Sequence, residues 1–367
     1  MLTMDAFRSD AFSAVSLTGA VDKMKFTPQL LGSIPGLFVD TPVRTPAVWI
    51  EERANAPALI QTTPRSAPPH VRGAEQRDAR SFIAKAIGEG SRIMADELLG
   101  IRAFGSETEE KTLMSEVARR QFLIGSDFDL TLENWRLSVV TQAKLLDADG
   151  SLIYDWAAEF NQAATGPLGS ANPIVNWDLL NTTPASGAVR ILCNQTIRFI
   201  RRALQGVGGT FVQVYAMCGD AFWDALTAHP EVRQTYINWP DAAKLRDDVG
   251  QVWESFRYGN ILWFNYRSTD DAQPASGGVT GTEATPIVGV PTTHASFFPA
   301  NAGIFRMAYA PPPRMEFVGT PGLKRYSWVV VDDKRDQWAD IETFSYPLAV
   351  CTLPSALVTG KRTADDS

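Results

Sequence analysis

Between positions 28 and 69 the chain carries eight prolines, at 28, 35, 42, 46, 57, 64, 68 and 69. Proline has no amide hydrogen to give a central strand or a helix interior, and its ring fixes φ. Such a stretch cannot be the middle of an ordinary packed core. Within it, Ala47-Val48-Trp49-Ile50-Glu51-Glu52-Arg53 and Ala58-Leu59-Ile60-Gln61 read as two short extended runs, with Ala56-Pro57 between them. Together they predict a projecting two-stranded loop. The stretch from Gly73 to Arg80 that follows is charged and reads as solvated.

The rest of the chain has the means to fold. It has 367 residues, of which 45% are hydrophobic, enough for a large core and for the length of two or three ordinary domains. Its 34 basic side chains stand against 41 acidic ones, a net charge of −7, which argues against a protein that neutralises a phosphate backbone. That balance does not exclude a container for DNA, since a mildly acidic wall would repel the packaged polymer and leave it free to slide. Cys193, Cys218 and Cys351 are odd in number and far apart, so the expectation is three buried thiols and no disulfide framework or metal clasp. Asp5 stands where a basic signal-peptide start would, and no apolar run approaches the ~18 residues of a spanning helix. The expectation is a chain made in the cytosol.

Periodicity places the elements. Residues 1 to 25 carry scattered apolar side chains such as Phe7, Phe12, Val15 and Leu17, an arm that orders against something else. Phe82 to Leu99 mixes helical and extended signals. Ser106 with Glu109 three residues on is a capping box, predicting a helix to about Ile124. After Gly125, residues Phe128, Leu132, Trp135, Val139, Ala143 and Leu146 share one face of a second helical stretch ending near Asp147. The two make a briefly interrupted rod of about forty residues, or ~60 Å at 1.5 Å per residue. A loop rich in Gly, Pro, Asn and Ser runs from Gln162 to Gly187, and Ile191 to Leu204 returns to helical spacing. Thr210 to Met217 reads as a strand, Gly219-Asp220 as a turn and cap, Ala221 to Thr227 as a short helix and Ile261 to Tyr266 as a strand. Ser268 to Gly289 reads as a loop, and three strands follow at 304–309, 326–331 and 341–348.

One motif carries possible chemistry. Gly125-Ser126-Asp127-Phe128-Asp129-Leu130-Thr131 contains the DxDxT pattern of haloacid-dehalogenase-like phosphatases, in which the first Asp attacks phosphorus and the second handles the proton. Val331-Asp332-Asp333 resembles the paired acids that hold Mg²⁺ in that family. The flanks have a helical period where that chemistry needs the end of a buried strand, and no suitable lysine lies between the motifs. The simpler reading makes Asp127 the cap of the second helical stretch and Asp332-Asp333 a turn. His70, His229 and His294 lack carboxylate or cysteine partners at ligand spacing and read as surface residues. No GxxxxGK[ST], GxGxxG or GxSxG pattern occurs. Ten tryptophans sit mostly in apolar runs and read as packing residues. Arg119-Arg120 and Arg201-Arg202 read as solvated faces or as partners for carboxylates on another subunit. No catalytic, cofactor-binding or metal-binding residue is expected, and no cofactor.

The order of parts is an apolar arm, a proline-rich loop, a long rod, an α/β segment and a β-rich return. It resembles the phage lambda major head (capsid) protein E family, with the α+β Hong Kong 97-type fold, from about Phe26 to Val358. Four runs carry the likeness: Met24-Lys25-Phe26-Thr27-Pro28-Gln29-Leu30-Leu31; Arg119-Arg120-Gln121-Phe122-Leu123-Ile124 leading to Leu145-Leu146; strand 210–217 with Gly219 to Leu226 and His229-Pro230-Glu231-Val232-Arg233; and Ile341 to Leu348 with Pro354 and Leu357-Val358.

The resemblance implies an N-terminal arm (1–44), an extended loop, or E-loop (45–80), and a peripheral domain with a spine helix (81–160). An axial domain (161–300) and a return to the peripheral domain with a C-terminal tail (301–367) would follow. It implies a non-enzymatic virion protein that assembles with itself into hexamers and pentamers of an icosahedral head. That head would enclose double-stranded DNA without sequence-specific binding, and no membrane is involved. Assembly in the bacterial host cytoplasm, a separate scaffolding protein, a portal and a possible decoration protein follow from the same likeness. The alternatives are a Mg²⁺-dependent phosphatase using Asp127 and Asp129, and an encapsulin-like protein shell.

Overall fold

The structure, a computed structural model, describes residues 30–53, 77–94, 109–162, 174–181, 183–204, 212–237, 255–266, 290–332, 334 and 337–364. In chain order it runs α1 (Leu30–Ser33), β1 (Phe38–Pro42), β2 (Ala47–Arg53), β3 (Arg77–Ile83), β4 (Ile87–Met94), α2 (Glu109–Gln142), β5 (Lys144–Leu146), β6 (Leu152–Asp155) and α3 (Trp156–Glu159). Then come β7 (Ile174–Asn176), α4 (Ala188–Leu204), β8 (Gln213–Cys218), α5 (Asp220–Ala228), α6 (Pro230–Ile237), β9 (Ser255–Tyr258) and β10 (Ile261–Asn265). The chain closes with β11 (His294–Ala300), β12 (Phe305–Tyr309), β13 (Tyr326–Val331), β14 (Trp338–Ser345), β15 (Pro347–Cys351) and β16 (Val358–Lys361).

The rod is one 34-residue helix with no break at Gly125. Glycine inside a helix costs only about 1 kcal/mol relative to alanine, less than the packing on either side returns. Val117, Ile124 and Phe128 bury against Ile93, Ala339 and Ile341, while Trp135, Val139 and Val140 enter the main core. The helix therefore joins two packing units at its two ends. It stops at Gln142, short of the expected Asp147, because Ala143 turns to φ 54° and Lys144–Leu146 becomes strand β5, paired with β6. The Ser106 cap lies outside the described residues.

The largest sheet has the order β7-β16-β11-β8-β10-β9. Strand β10 runs parallel to β8 and antiparallel to β9, and Gly259 and Asn260, both at positive φ, make the tight turn between β9 and β10. Register puts Phe256, Trp263 and Phe297 on one face, where Phe222 and Trp223 of α5 pack. On the other face Tyr215, Phe264 and Phe298 meet, and Phe298 touches Phe305 of β12. Two three-stranded sheets, β1-β12-β15 and β13-β14-β4, flank the long helix.

Several boundaries differ from the sequence reading. The partner of β2 is Arg77–Ile83, whose first four residues belong to the stretch read as solvated; residues 58–61 lie outside the described residues. The mixed signal after Phe82 resolves into strand β4, and a short strand, β7, interrupts the loop after Gln162. The single closing strand at 341–348 is two strands, β14 and β15, divided at Tyr346. Gly219, not Asp220, occupies the N-cap of α5 and supplies no side chain to it. The predicted loop 268–289 lies outside the described residues.

Candidate assembly surfaces

Strands β2 and β3 form a ribbon with no third strand among the described residues. Pairing runs from Ala47↔Ile83 to Arg53↔Arg77, and at the base Ala84 N–H donates to Pro46 O at 3.0 Å. Alternation gives the ribbon two unlike faces. Val48, Ile50 and Phe82 are buried. Phe82 packs edge-on against Trp156 at 5.1 Å and Tyr154 at 5.6 Å, and the Tyr154 hydroxyl accepts from Ile83 N–H and donates to Ile83 O. On the opposite face Trp49 is 66% and Ile83 61% exposed. An isolated two-stranded ribbon is marginal in water, and this one is anchored through one face, by Val48, Ile50 and Phe82.

A second feature ties α1 to the long helix. Glu133 of α2 is fully buried, and its two carboxylate oxygens accept from Leu31 N–H at 2.7 Å and Gly32 N–H at 3.1 Å. These are amides of the first turn of α1, which has no other partner for them. Arg136, one turn on, lies 3.3 Å from the same carboxylate. Burial raises the Glu133 pKa, and Arg136 and the two amides pull against that shift. Glu133 escaped the sequence reading, although an acid beside Leu132 with Arg136 at i+3 was its visible signal.

Further apolar side chains face solvent. Phe122 and Leu123 are about half exposed on the outer side of α2, and Met315 and Val318 are 94% and 74% exposed in the turn before β13. Arg314 stacks its guanidinium 3.6 Å from the Trp328 ring centre beneath that turn.

The phosphatase reading fails on geometry. Asp127 and Asp129 lie in mid-helix, two residues apart and so on different sides of α2. Asp127 is exposed and caps nothing, which also corrects the simpler reading of it. Asp129 pairs with Arg325 in a nearly buried site. Asp332 makes the expected turn after β13, accepting from Lys334 N–H at 3.1 Å; Asp333 lies outside the described residues. Among the described residues no cluster of three His, Cys, Asp or Glu could hold a metal.

His229 is buried, not superficial: its Nδ1 accepts from Glu231 N–H, and burial lowers its pKa. His70 lies outside the described residues. All three cysteines are buried, as expected, and burial raises their pKa values. Trp135, Trp156, Trp177 and Trp263 are core residues, whereas Trp49 is not. Among the described residues no helix is long and apolar enough to cross a membrane.

Residues 13–362 match the family model described as Phage major capsid protein E. The chain belongs to that family. It is 26% identical over 372 residues to the major capsid protein of Salmonella phage Felix O1 (isolate Felix O1-VT1), covering 95% of each chain. It is 24% identical over 339 residues to the major capsid protein of Pseudomonas phage KPP10, covering 89% of this chain and 90% of that one. Its fold resembles a prophage protein of Escherichia coli CFT073 assigned as a capsid protein. The TM-score there is 0.53 at 15% identity, with 95% of this chain and 98% of the other covered. The α+β architecture is therefore the Hong Kong 97-type capsid fold, and the capsid E family is structural, not catalytic.

Proposed function

We propose that the chain is the major capsid protein of a tailed bacteriophage, copies of which close into hexamers and pentamers of an icosahedral head around double-stranded DNA. In this reading residues 1–44 are the arm and 45–80 the extended loop laid across a neighbour. The peripheral domain comprises 81–160 and 301–367, and 161–300 points to the capsomer axis. A separate scaffolding protein, a portal and a possible decoration protein complete the particle, which is assembled in the host cytoplasm. The phosphatase and encapsulin-like alternatives give way to the family membership.

The observation that carries the reading is the β2–β3 ribbon. Its root is packed and its outer face exposes Trp49 and Ile83, so burial of that face requires another chain.

The test leaves the root intact. Glu51 and Ala79 are register partners, so replacing 52–78 by Asn-Gly closes the ribbon with a tight turn. The shortened chain is expected to fold with unchanged circular dichroism yet form no closed particles in negative-stain microscopy. Closed particles of normal size from it would refute the role given to the loop.

A further inference from the structure

Helix α4 carries Arg190, Arg198, Arg201 and Arg202 and not one carboxylate. Its buried stripe is Val189, Cys193, Thr196, Ile197, Ile200 and Leu204. The four arginines are all exposed on the other side, within an arc of about 120° at 100° per residue. Arg198 has Arg201 and Arg202 three and four residues on, where like charges repel. Placement in the last turn favours Arg201 and Arg202 through the helix dipole, but that dipole opposes Arg190 in the first turn and does nothing for Arg198. Among the described residues, Arg198, Arg201 and Arg202 have no hydrogen-bond or ion-pair partner within the subunit.

Two neighbouring features add to this face. At its first turn it opens into a cleft of about 560 Å³ lined by Arg190, Asn194, Arg257 and the Gly259-Asn260 turn. Amid the arginines Ile191 is 53% exposed. Helix α5, which packs against α6, has the opposite character: it exposes Asp220 and Asp224, one turn apart, and contains no basic residue. Glu231, at the start of α6, accepts from Val189 N–H at 2.9 Å, Arg190 N–H at 3.2 Å and the Tyr258 hydroxyl at 2.8 Å, which fixes the start of α4 to α6 and β9.

We propose that the arginine face of α4 is a contact between copies, seated on exposed carboxylates of a second copy of this chain. The inference rests on the assembly reading above and adds a surface to it. In a ring of identical subunits two different patches of one chain meet, so a chain that bears both an arginine-only helix and a helix whose only charges are aspartates is complementary to itself. A net charge of −7 makes another copy a suitable acidic partner. Ile191 argues for protein over DNA, since an exposed aliphatic side chain among arginines gains from a partner that excludes water, as at the core of a protein interface.

The test compares the full chain, purified free of nucleic acid, with Arg198→Glu/Arg201→Glu/Arg202→Glu by sedimentation velocity and electron microscopy. The triple variant is expected to keep its circular dichroism while needing at least ~10-fold more protein to assemble. Wild-type assembly should weaken in the same direction as salt rises from about 0.1 to about 0.5 M, and the corresponding lysine variant should assemble. If the glutamate variant does not fold, Arg198→Gln/Arg201→Gln/Arg202→Gln carries the same comparison. Assembly of the neutralised or reversed variant at wild-type concentration overturns the inference. So does normal assembly into shells that have merely lost affinity for a short DNA duplex. A wild-type chain that stays monomeric overturns instead the assembly reading on which the inference stands.

Discussion

Glu133, buried in the last third of the long helix, accepts the backbone N–H of Leu31 at 2.7 Å across 102 residues of sequence. The contact makes a side chain of the long helix the N-terminal partner of α1, so α1 is held by a charge-assisted hydrogen bond. Glu133→Ala leaves two amides and the Arg136 guanidinium without that carboxylate. The expected loss is about 3 kcal/mol, read as a lower midpoint in chemical denaturation; Glu133→Gln, which keeps one acceptor, should lose less. Equal stability of wild type and Glu133→Ala would remove the contact from any role in holding α1.

The same carboxylate sets a pH dependence. Its pKa is raised from the ordinary 4.5, mainly by burial, so the folded state holds the proton more tightly than the unfolded state. The resulting stability is fully present below the ordinary value and is lost as pH rises through the raised one. The melting temperature of wild type relative to Glu133→Gln is therefore expected to fall between acid and neutral pH. A constant difference across that range would contradict the assignment.

The two faces of the ribbon should separate stability from assembly. Phe82→Ala removes the ring packed on Trp156, Tyr154 and Phe160, with an expected cost of about 3 to 5 kcal/mol to the subunit. Trp49→Ala, on the exposed face, should change subunit stability by less than about 0.5 kcal/mol and yet impair particle formation. Denaturation midpoints alongside particle counts check both; a Trp49→Ala chain that assembles normally would show the outer face to be uncovered in the particle.

Much of this architecture was legible from side-chain spacing, and the failures have local causes. Phe128, Leu132, Trp135 and Val139 announced the rod because one face of it is buried in the subunit. Gly125 disguised its continuity: it sits inside the helix, and a Cβ there would make only ordinary contact with Arg325 Nη1, at 3.4 Å, so the glycine marks no break. Strand β3 was hidden because, of Ala79, Arg80, Ser81, Phe82 and Ile83, only Phe82 is buried, and a strand with so little apolar face has no period to read. His229 looked superficial between Ala228 and Pro230, but the turn joining α5 to α6 folds it inward. The surfaces argued to meet other copies are the least legible of all, since their burial depends on a chain other than this one.

Asp129 and Arg325 provide the last prediction. Their side chains are only 12% and 13% exposed, and the pair ties the segment before β13 to the middle of α2. One oxygen of Asp129 has no hydrogen-bond partner, so the carboxylate depends heavily on that one guanidinium. Removing one member of a buried pair strands the other as an uncompensated charge, whereas replacing both by apolar groups of similar size can be neutral. Arg325→Met is accordingly expected to cost about 3 kcal/mol or more, and Asp129→Leu/Arg325→Met to recover most of that loss. Denaturation of the three chains decides the matter: a double variant no more stable than Arg325→Met would mean that the arginine acts through other contacts and that the pair does not hold the segment.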